Sequence, residues 1–444
     1  MREVPPAAPR PGRPLGNWHY VGLCALVGLV AGAIGSVFHL ALNVFLTWPR
    51  HLGRLVEGPL LVVCAALVTA VATVAVAAAV RRWAPEASGS GIQEVEGAMQ
   101  GVRPLRWARV LPVKFFGGIV SIGSGLVLGR EGPTIHIGAS VAAVSSDLVD
   151  TAAEDRSALL AAGAAAGLAC AFNAPIAAIL FITEETRDEF PYSFRSYMGV
   201  IAAALLSTVA TEWIGGKAPD LTMAAAEPGL AALPLFALLG AVLGGIGVVF
   251  NAAVLRTLDF AASAHRRAPY VFPAVVGLVV GALLVLYPHT VTGGESAILA
   301  LTAAPPALQV LLVLAVVRFL TTVTSYSSGV PGGIFAPMLS LAACIGLAFG
   351  AVAEMALPWG GATATAFAIA AMGGLFTASV RSPLVGVVLT LELTGAWSLA
   401  LPLLATCLLA DLVAWWLGGK PIYEALLERT LAQEADATQA RGPR

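Results

Sequence analysis

Charge is absent over long stretches of this chain, and those stretches set its architecture. No Asp, Glu, Lys or Arg occurs between Arg13 and Arg50, and only Glu57 interrupts the run from Arg54 to Arg81. Further uncharged spans separate Arg156 from Glu184, Glu227 from Arg256, Arg267 from Glu295, and Arg318 from Glu354. A helix that crosses a bilayer needs about 20 apolar residues. Several of these spans therefore hold one membrane helix and some hold more, which predicts a polytopic α-helical membrane protein.

Composition agrees. Of 444 residues, 58% are hydrophobic and 11% charged, and mean hydropathy is +0.84. A soluble domain carries about 25% charged residues, so lipid must cover much of this surface. The net charge of −1 gives no reason to expect a nucleic-acid partner. Cys24, Cys64, Cys170, Cys344 and Cys407 sit in apolar runs without metal-ligand spacing and read as small buried hydrophobes. No metal site is predicted. Residues 1–17 are rich in Pro, Gly and Arg, and Arg2, Arg10 and Arg13 favour a cytoplasmic tail. Arg81 and Arg82 also suit a return to the cytoplasm, although Arg50 and Arg54 cloud the rule. Residues 431–444 read as a second short cytoplasmic tail.

Between the tails the sequence repeats itself. Gly89-Ser90-Gly91 is weakly echoed by Gly293-Gly294-Glu295, 204 residues on (89 to 293). Gly129-Arg130-Glu131-Gly132-Pro133 is echoed by Gly333-Ile334-Phe335-Ala336-Pro337 at the same offset of 204 (133 to 337). Asn173-Ala174-Pro175, an apolar run and Glu184 are echoed by Arg381-Ser382-Pro383, an apolar run and Glu392, at an offset of 208 (184 to 392). Three matches in one order divide residues 18–430 into related halves, roughly 18–215 and 228–430. Gly/Pro breaks at corresponding places in two halves point to helices that stop inside the membrane at a transporter's binding site. Such ends expose backbone N–H groups that lipid cannot satisfy. Those groups and the helix dipole favour an anion.

Three motifs occur in order: Gly89-Ser90-Gly91-Ile92, Gly129-Arg130-Glu131-Gly132-Pro133 and Gly332-Gly333-Ile334-Phe335-Ala336-Pro337. They resemble the signature motifs of the CLC family of chloride channels and proton-coupled chloride antiporters. The segments Val110–Gly118, Phe181–Glu185 and Gly418–Tyr423 resemble the bacterial exchangers, and the likeness spans roughly residues 20–430. It implies an all-α fold of many tilted and broken helices in two inverted-topology halves. It also implies a homodimer with a separate anion pathway in each subunit, and a place in the inner membrane of a bacterium.

The resemblance assigns roles. Glu131 matches the gate, whose carboxylate competes with chloride and doubles as the outer proton carrier. The bland alternative is that Glu131 only pairs with Arg130. Ser90 and Tyr423 would bind chloride through hydroxyls, and Ile334 and Phe335 through backbone amides. Without the resemblance, Ser90 reads as a turn residue and Tyr423 as an interfacial aromatic. Glu185 matches the inner proton acceptor of the exchangers, against the plainer reading of a solvated helix end with Arg187, Asp188 and Glu189. Glu94, Glu96 and Lys114 read as a buried charge cluster near the inner side. Glu392 has no proton role, and His136 reads as a hydrogen-bonding packing residue rather than a ligand or proton relay. The first motif usually continues with proline where this chain has Gln93, so Gln93 bears on anion preference.

These residues predict exchange of chloride for protons with no cofactor beyond the transported ion. The alternatives are a passive channel of the same fold, an exchanger with altered anion preference such as nitrate, and an intramembrane serine hydrolase. The hydrolase would use Ser90 with His136 or His289 as base. Glu185 favours exchange over a channel. A hydrolase needs a base within hydrogen-bond reach of its serine and leaves the other motifs unexplained.

Overall fold

The protein is described from a computed structural model, which covers residues 13–186, 190–216, 221–356 and 363–441. The first half comprises α1 (Asn17–Phe45), α2 (Trp48–Leu52), α3 (Pro59–Trp83), α4 (Ile92–Met99), α5 (Trp107–Gly123), α6 (Glu131–Val149), α7 (Ala153–Phe172), α8 (Pro175–Glu185) and α9 (Phe194–Gly215). The second comprises α10 (Leu233–Arg267), α11 (Val271–Leu286), α12 (Glu295–Ala303), α13 (Leu308–Tyr326), α14 (Phe335–Ala356), α15 (Ala364–Val380), α16 (Pro383–Thr394) and α17 (Ala400–Trp416), followed by α18 (Ile422–Arg441). Among the described residues, seven segments are long and apolar enough to cross a bilayer. Others are short: α4 has 8 residues and α8 has 11.

The neighbours of each helix recur in the other half. Helix α1 packs on α9 and α7 as α10 packs on α17 and α15; α6 packs on α7 as α14 does on α15; α5 meets α6 as α13 meets α14. The halves join where α3 meets α11 and α8 meets α16. The second junction is reciprocal. Near the end of α8, Glu184 accepts hydrogen bonds from the amides of Leu384 (3.2 Å) and Val385 (2.8 Å) at the start of α16. Near the end of α16, Glu392 accepts from the amides of Ile176 (3.2 Å) and Ala177 (2.7 Å) at the start of α8. Two antiparallel helices thus each present a carboxylate to the other's positive end, which stabilises both. This gives Glu392 a structural role, and gives Glu184 the same one.

A second reciprocal set surrounds the breaks. Ser121 on α5 donates to the carbonyl of Pro331 (2.5 Å), and Ser325 on α13 accepts from the amide of Val127 (3.2 Å). Each serine, 204 residues from its counterpart (121 to 325), secures the loop of the opposite half. Lys114 on α5, fully buried, donates to the carbonyls of Ala87 (3.0 Å) and Gly89 (2.8 Å). Arg318 on α13, also fully buried, donates to those of His289 (2.6 Å), Val291 (3.2 Å) and Thr292 (3.2 Å). Each cation holds the loop that leads into its half's short helix, α4 or α12. The loops would otherwise leave carbonyls unsatisfied where water is scarce.

Candidate anion-binding site

The motif loops meet at the centre of the molecule. Gly129 and Gly333 exchange both backbone hydrogen bonds, at 2.8 and 2.7 Å. The amide of Gly89 donates to the carbonyl of Val330 (2.9 Å), and the amide of Gly332 to that of Gly89 (3.0 Å). These pairings use backbone groups that a broken helix leaves over, and they bring the N-termini of α4, α6 and α14 together. Pro133 and Pro337 occupy the third positions of α6 and α14. A first-turn N–H has no partner within its own helix, so proline there forfeits no helix bond and still marks the start.

Glu131, fully buried, reaches across this junction. Its Oε1 accepts from the amides of Phe335 (2.6 Å) and Ala336 (3.2 Å), the free donors at the start of α14. Its Oε2 is buried without a hydrogen-bond partner. Glycine makes the space. A β-carbon on Gly129 would lie 2.1 Å from Oε1, and one on Gly333 would lie 2.6 Å from it. The side chain therefore lies along the line where the loops pair. It occupies amides that any small anion would also seek.

Ser90 lies beside Gly132, where an added β-carbon would sit 2.6 Å from its Oγ. Ser90 Oγ and Tyr423 Oη are both buried, and neither has a hydrogen-bond partner among the described residues. Buried polar groups are nearly always paired, so two such hydroxyls near a set of helix N-termini indicate a ligand or water. Tyr423, in the first turn of α18, stands against Phe335 with ring centroids 5.8 Å apart. Ile334 and Phe335 are fully buried at the start of α14. The amide of Phe335 is occupied by Glu131, as described.

Cavities reach these loops from two sides. One of about 510 Å³ opens between α4 and α18; Gln93, Gly89 and Tyr326 line it together with Arg103, Arg429 and Glu434. Gln93 is buried, its Oε1 without a partner, and so faces this approach rather than the loop junction. The other, of about 210 Å³, is lined by Gly129, Arg130, Ala336 and Glu295. Here Arg130 donates to the carbonyl of Ala171 (2.9 Å) and to Nε2 of His39 (2.6 Å) and lies 3.5 Å from Glu295. Guanidinium nitrogens only donate, so His39 Nε2 is the acceptor. Arg130 is thus committed to the wall of the approach, while the amides of Phe335 and Ala336 hold Glu131.

Glu185, at the last turn of α8, accepts a hydrogen bond from Ser382 Oγ (2.7 Å) just before α16. Arg187, Asp188 and Glu189 lie outside the described residues. Glu94, Glu96 and Lys114 are all buried, as expected of a charge cluster, and their direct contacts are divided. Glu94 pairs with Arg103 (2.7 Å), which also binds Glu434 of α18 (2.8 Å), while Lys114 clamps carbonyls. His136 is fully buried with neither ring nitrogen hydrogen-bonded. Its Nδ1 and Lys114 Nζ flank Gly91, whose φ of +86° and lack of a side chain both suit the turn into α4. Ser90 Oγ therefore has no histidine base in hydrogen-bond contact, which removes the geometric support for a hydrolase.

Sequence reasoning did not single out His39, Arg103, Glu295, Arg318 or Ser382. The repeat offset would have found Arg318, which stands 204 residues after Lys114 (114 to 318). Glu295 and Ser382 fall inside the repeat echoes without having been assigned a role, and His39 and Arg103 carry no motif signal.

A family model described as "Voltage gated chloride channel" matches residues 72–415. The chain is 43% identical over 423 residues to a protein of Vibrio parahaemolyticus named "H(+)/Cl(-) exchange transporter ClcA", covering 93% of this chain and 90% of that one. A relative of the same name from Citrobacter koseri is 43% identical over 431 residues, covering 94% and 89%. Among solved structures, a slow cyanobacterial Cl−/H+ antiporter superposes with a TM-score of 0.90 at 34% identity, covering 95% of this chain and all (100%) of that one. A CLC-type fluoride/proton antiporter, 19% identical with a TM-score of 0.73 over 89% of this chain and 95% of that one, shares the fold.

Proposed function

The chain belongs to the voltage-gated chloride channel family, and on that premise we propose that it is an antiporter that exchanges chloride for protons. It is a multi-pass membrane protein, which its likeness to bacterial relatives assigns to a bacterial inner membrane. The observation that carries the reading is a buried carboxylate seated on the N-terminal amides of another helix, with one oxygen unpartnered. A carboxylate and a chloride ion compete for the same donors because both are anions. When Glu131 is ionised it holds the amides and closes the outer approach. When it takes up a proton it loses the charge that matched them, and chloride replaces it.

The central chloride would rest against the hydroxyls of Ser90 and Tyr423 and the amides of Ile334 and Phe335. Hydroxyls and amides bind an anion without a fixed counter-charge, so the ion can leave. Glu185 supplies protons from the cytoplasmic side. The amide bonds from Leu384 and Val385 that Glu184 accepts support Glu185 over Glu184 for that task. Gln93 lines the inner approach and there influences the preference among chloride, bromide and nitrate.

Residues 18–430 form the transport unit, with repeats roughly 18–215 and 228–430. Residues 1–17 and 431–444 are cytoplasmic tails; of these, 1–12 and 442–444 lie outside the described residues, and α18 runs through the second boundary. The functional unit is a homodimer joined near Ile176–Thr183 and Trp397–Ala400, with chloride, protons and lipid as its partners, no nucleic acid and no cofactor. Ile176 and Trp397 are exposed in the single chain, which supports that face. Coupled flux from liposomes tests the reading. A chloride gradient should drive protons against their own gradient, and chloride flux with no proton movement would overturn it in favour of a channel.

A further inference from the structure

A further cavity lies away from the anion site. A groove of about 830 Å³ runs between α3 and α5. Its walls are apolar along most of its length, with Val76, Val113, Phe116 and Val120 among them, and small residues such as Ala75 and Ala79 give it depth. At one end stand Arg82 and Arg109, and no acidic residue lines it among the described residues. Both guanidiniums are exposed, and neither has an ion pair or side-chain hydrogen bond among the described residues. The basic end coincides with the end of α3 and the start of α5. Trp83, exposed, and Trp107 mark that level, as indoles do at a bilayer interface. Arg106 and Arg109 also border an adjoining hollow of about 500 Å³.

An apolar trough with two unpaired cations at the interfacial level matches one kind of molecule. We propose that it binds an anionic phospholipid, with the phosphate on Arg82 and Arg109 and an acyl chain along α3 and α5. Charge complementarity selects an anionic headgroup over a zwitterionic one, as basic pockets at cytoplasmic helix ends do. The apolar length selects a lipid over a soluble phosphate.

The site backs onto the transport machinery. The opposite side of α5 carries Lys114, which holds the carbonyl next to Ser90, and Ser121, which holds Pro331. Gly117 lies on the groove, and a β-carbon there would sit 3.2 Å from Pro331. A lipid that braces α5 therefore braces two of the three motif loops.

The test uses the full chain in detergent. Its melting temperature and its lipid adducts in native mass spectrometry are recorded with phosphatidylglycerol, with phosphatidylcholine and with inorganic phosphate. Phosphatidylglycerol should raise the melting temperature and remain bound, and the other two should not. Arg82→Gln with Arg109→Gln should weaken phosphatidylglycerol binding about thirtyfold, as expected for two lost basic contacts. The paired lysine variants should retain it. Ala75→Trp, which fills the groove without changing charge, should also abolish the shift, and it covers the case in which the glutamine variants fail to fold. Equal effects of both lipids, unchanged binding in both the glutamine and tryptophan variants, or an equal shift with inorganic phosphate would each overturn the proposal.

Discussion

Removing the Glu131 side chain should tighten anion binding and abolish proton coupling together. The size of the first effect follows from geometry. One carboxylate oxygen accepts two amide hydrogen bonds, at 2.6 and 3.2 Å. Hydrogen bonds to charged groups contribute roughly 1.5–3 kcal/mol each, and ordering a glutamate side chain costs up to about 2 kcal/mol. The tethered competitor thus holds its place by about 1 kcal/mol at the low end and about 4 kcal/mol at the high end. Since 1.4 kcal/mol is a factor of ten, Glu131→Ala should bind chloride about fivefold more tightly or better, as read by titration calorimetry on purified protein. Glu131→Gln retains a neutral acceptor, about half as strong as a charged one, and should fall between. In liposomes, wild-type chloride flux should rise as outer pH falls, because protonation releases the amides. The alanine variant should be nearly flat with pH and should carry no protons. Unchanged chloride affinity together with intact proton coupling in Glu131→Ala would refute the competition argument.

Glu185→Gln should stop proton movement yet leave a chloride flux that still rises at low outer pH, because the gate is intact; persistent coupling there would require another inner acceptor. Arg318→Met leaves three carbonyls without a donor and should cost roughly 3 kcal/mol. The loss should appear as reduced monodisperse protein after heating, with Arg318→Lys recovering part of it; equal heat resistance of all three forms would show that water replaces the clamp. Ile176→Trp should weaken self-association by steric clash while each subunit still transports, as read by light scattering and flux. Unaltered dimers would move the interface elsewhere.

The polytopic fold was legible because charge and apolar length decide membrane crossing. The repeat was legible because Gly and Pro are hard to replace where a chain must turn inside lipid. Glu131 stood out for the same reason, as a charge between glycines in an apolar stretch. What could not be read were partners that depend on distance in space. Glu392 seemed idle until α16 was seen against α8, where its carboxylate meets the amides of Ile176 and Ala177. Glu94 was grouped with Lys114, although Arg103, nine residues along the chain from Glu94, takes its charge. His39 and Glu295 reach Arg130 from remote helices; no local pattern marks His39, and the Gly293-Gly294-Glu295 echo gives Glu295 a place but no partner. Ser90 and Tyr423 depended on resemblance, since a hydroxyl in a turn has the same sequence appearance whether or not it faces an ion.

The stitching between halves also sets an order on biosynthesis. Gly89, Gly129, Ser121 and Glu131 all bond to residues between Val330 and Ala336, and Val127 bonds to Ser325. The ribosome delivers the first half of the chain before any of these partners exists. Until the second half arrives, the breaks at α4 and α6 carry backbone groups with nothing to bind in the bilayer, and the buried carboxylate has no amides to rest on. The insertion machinery must therefore hold the first half in a sheltered or hydrated setting, and the ion pathway is completed only when the third motif enters the membrane.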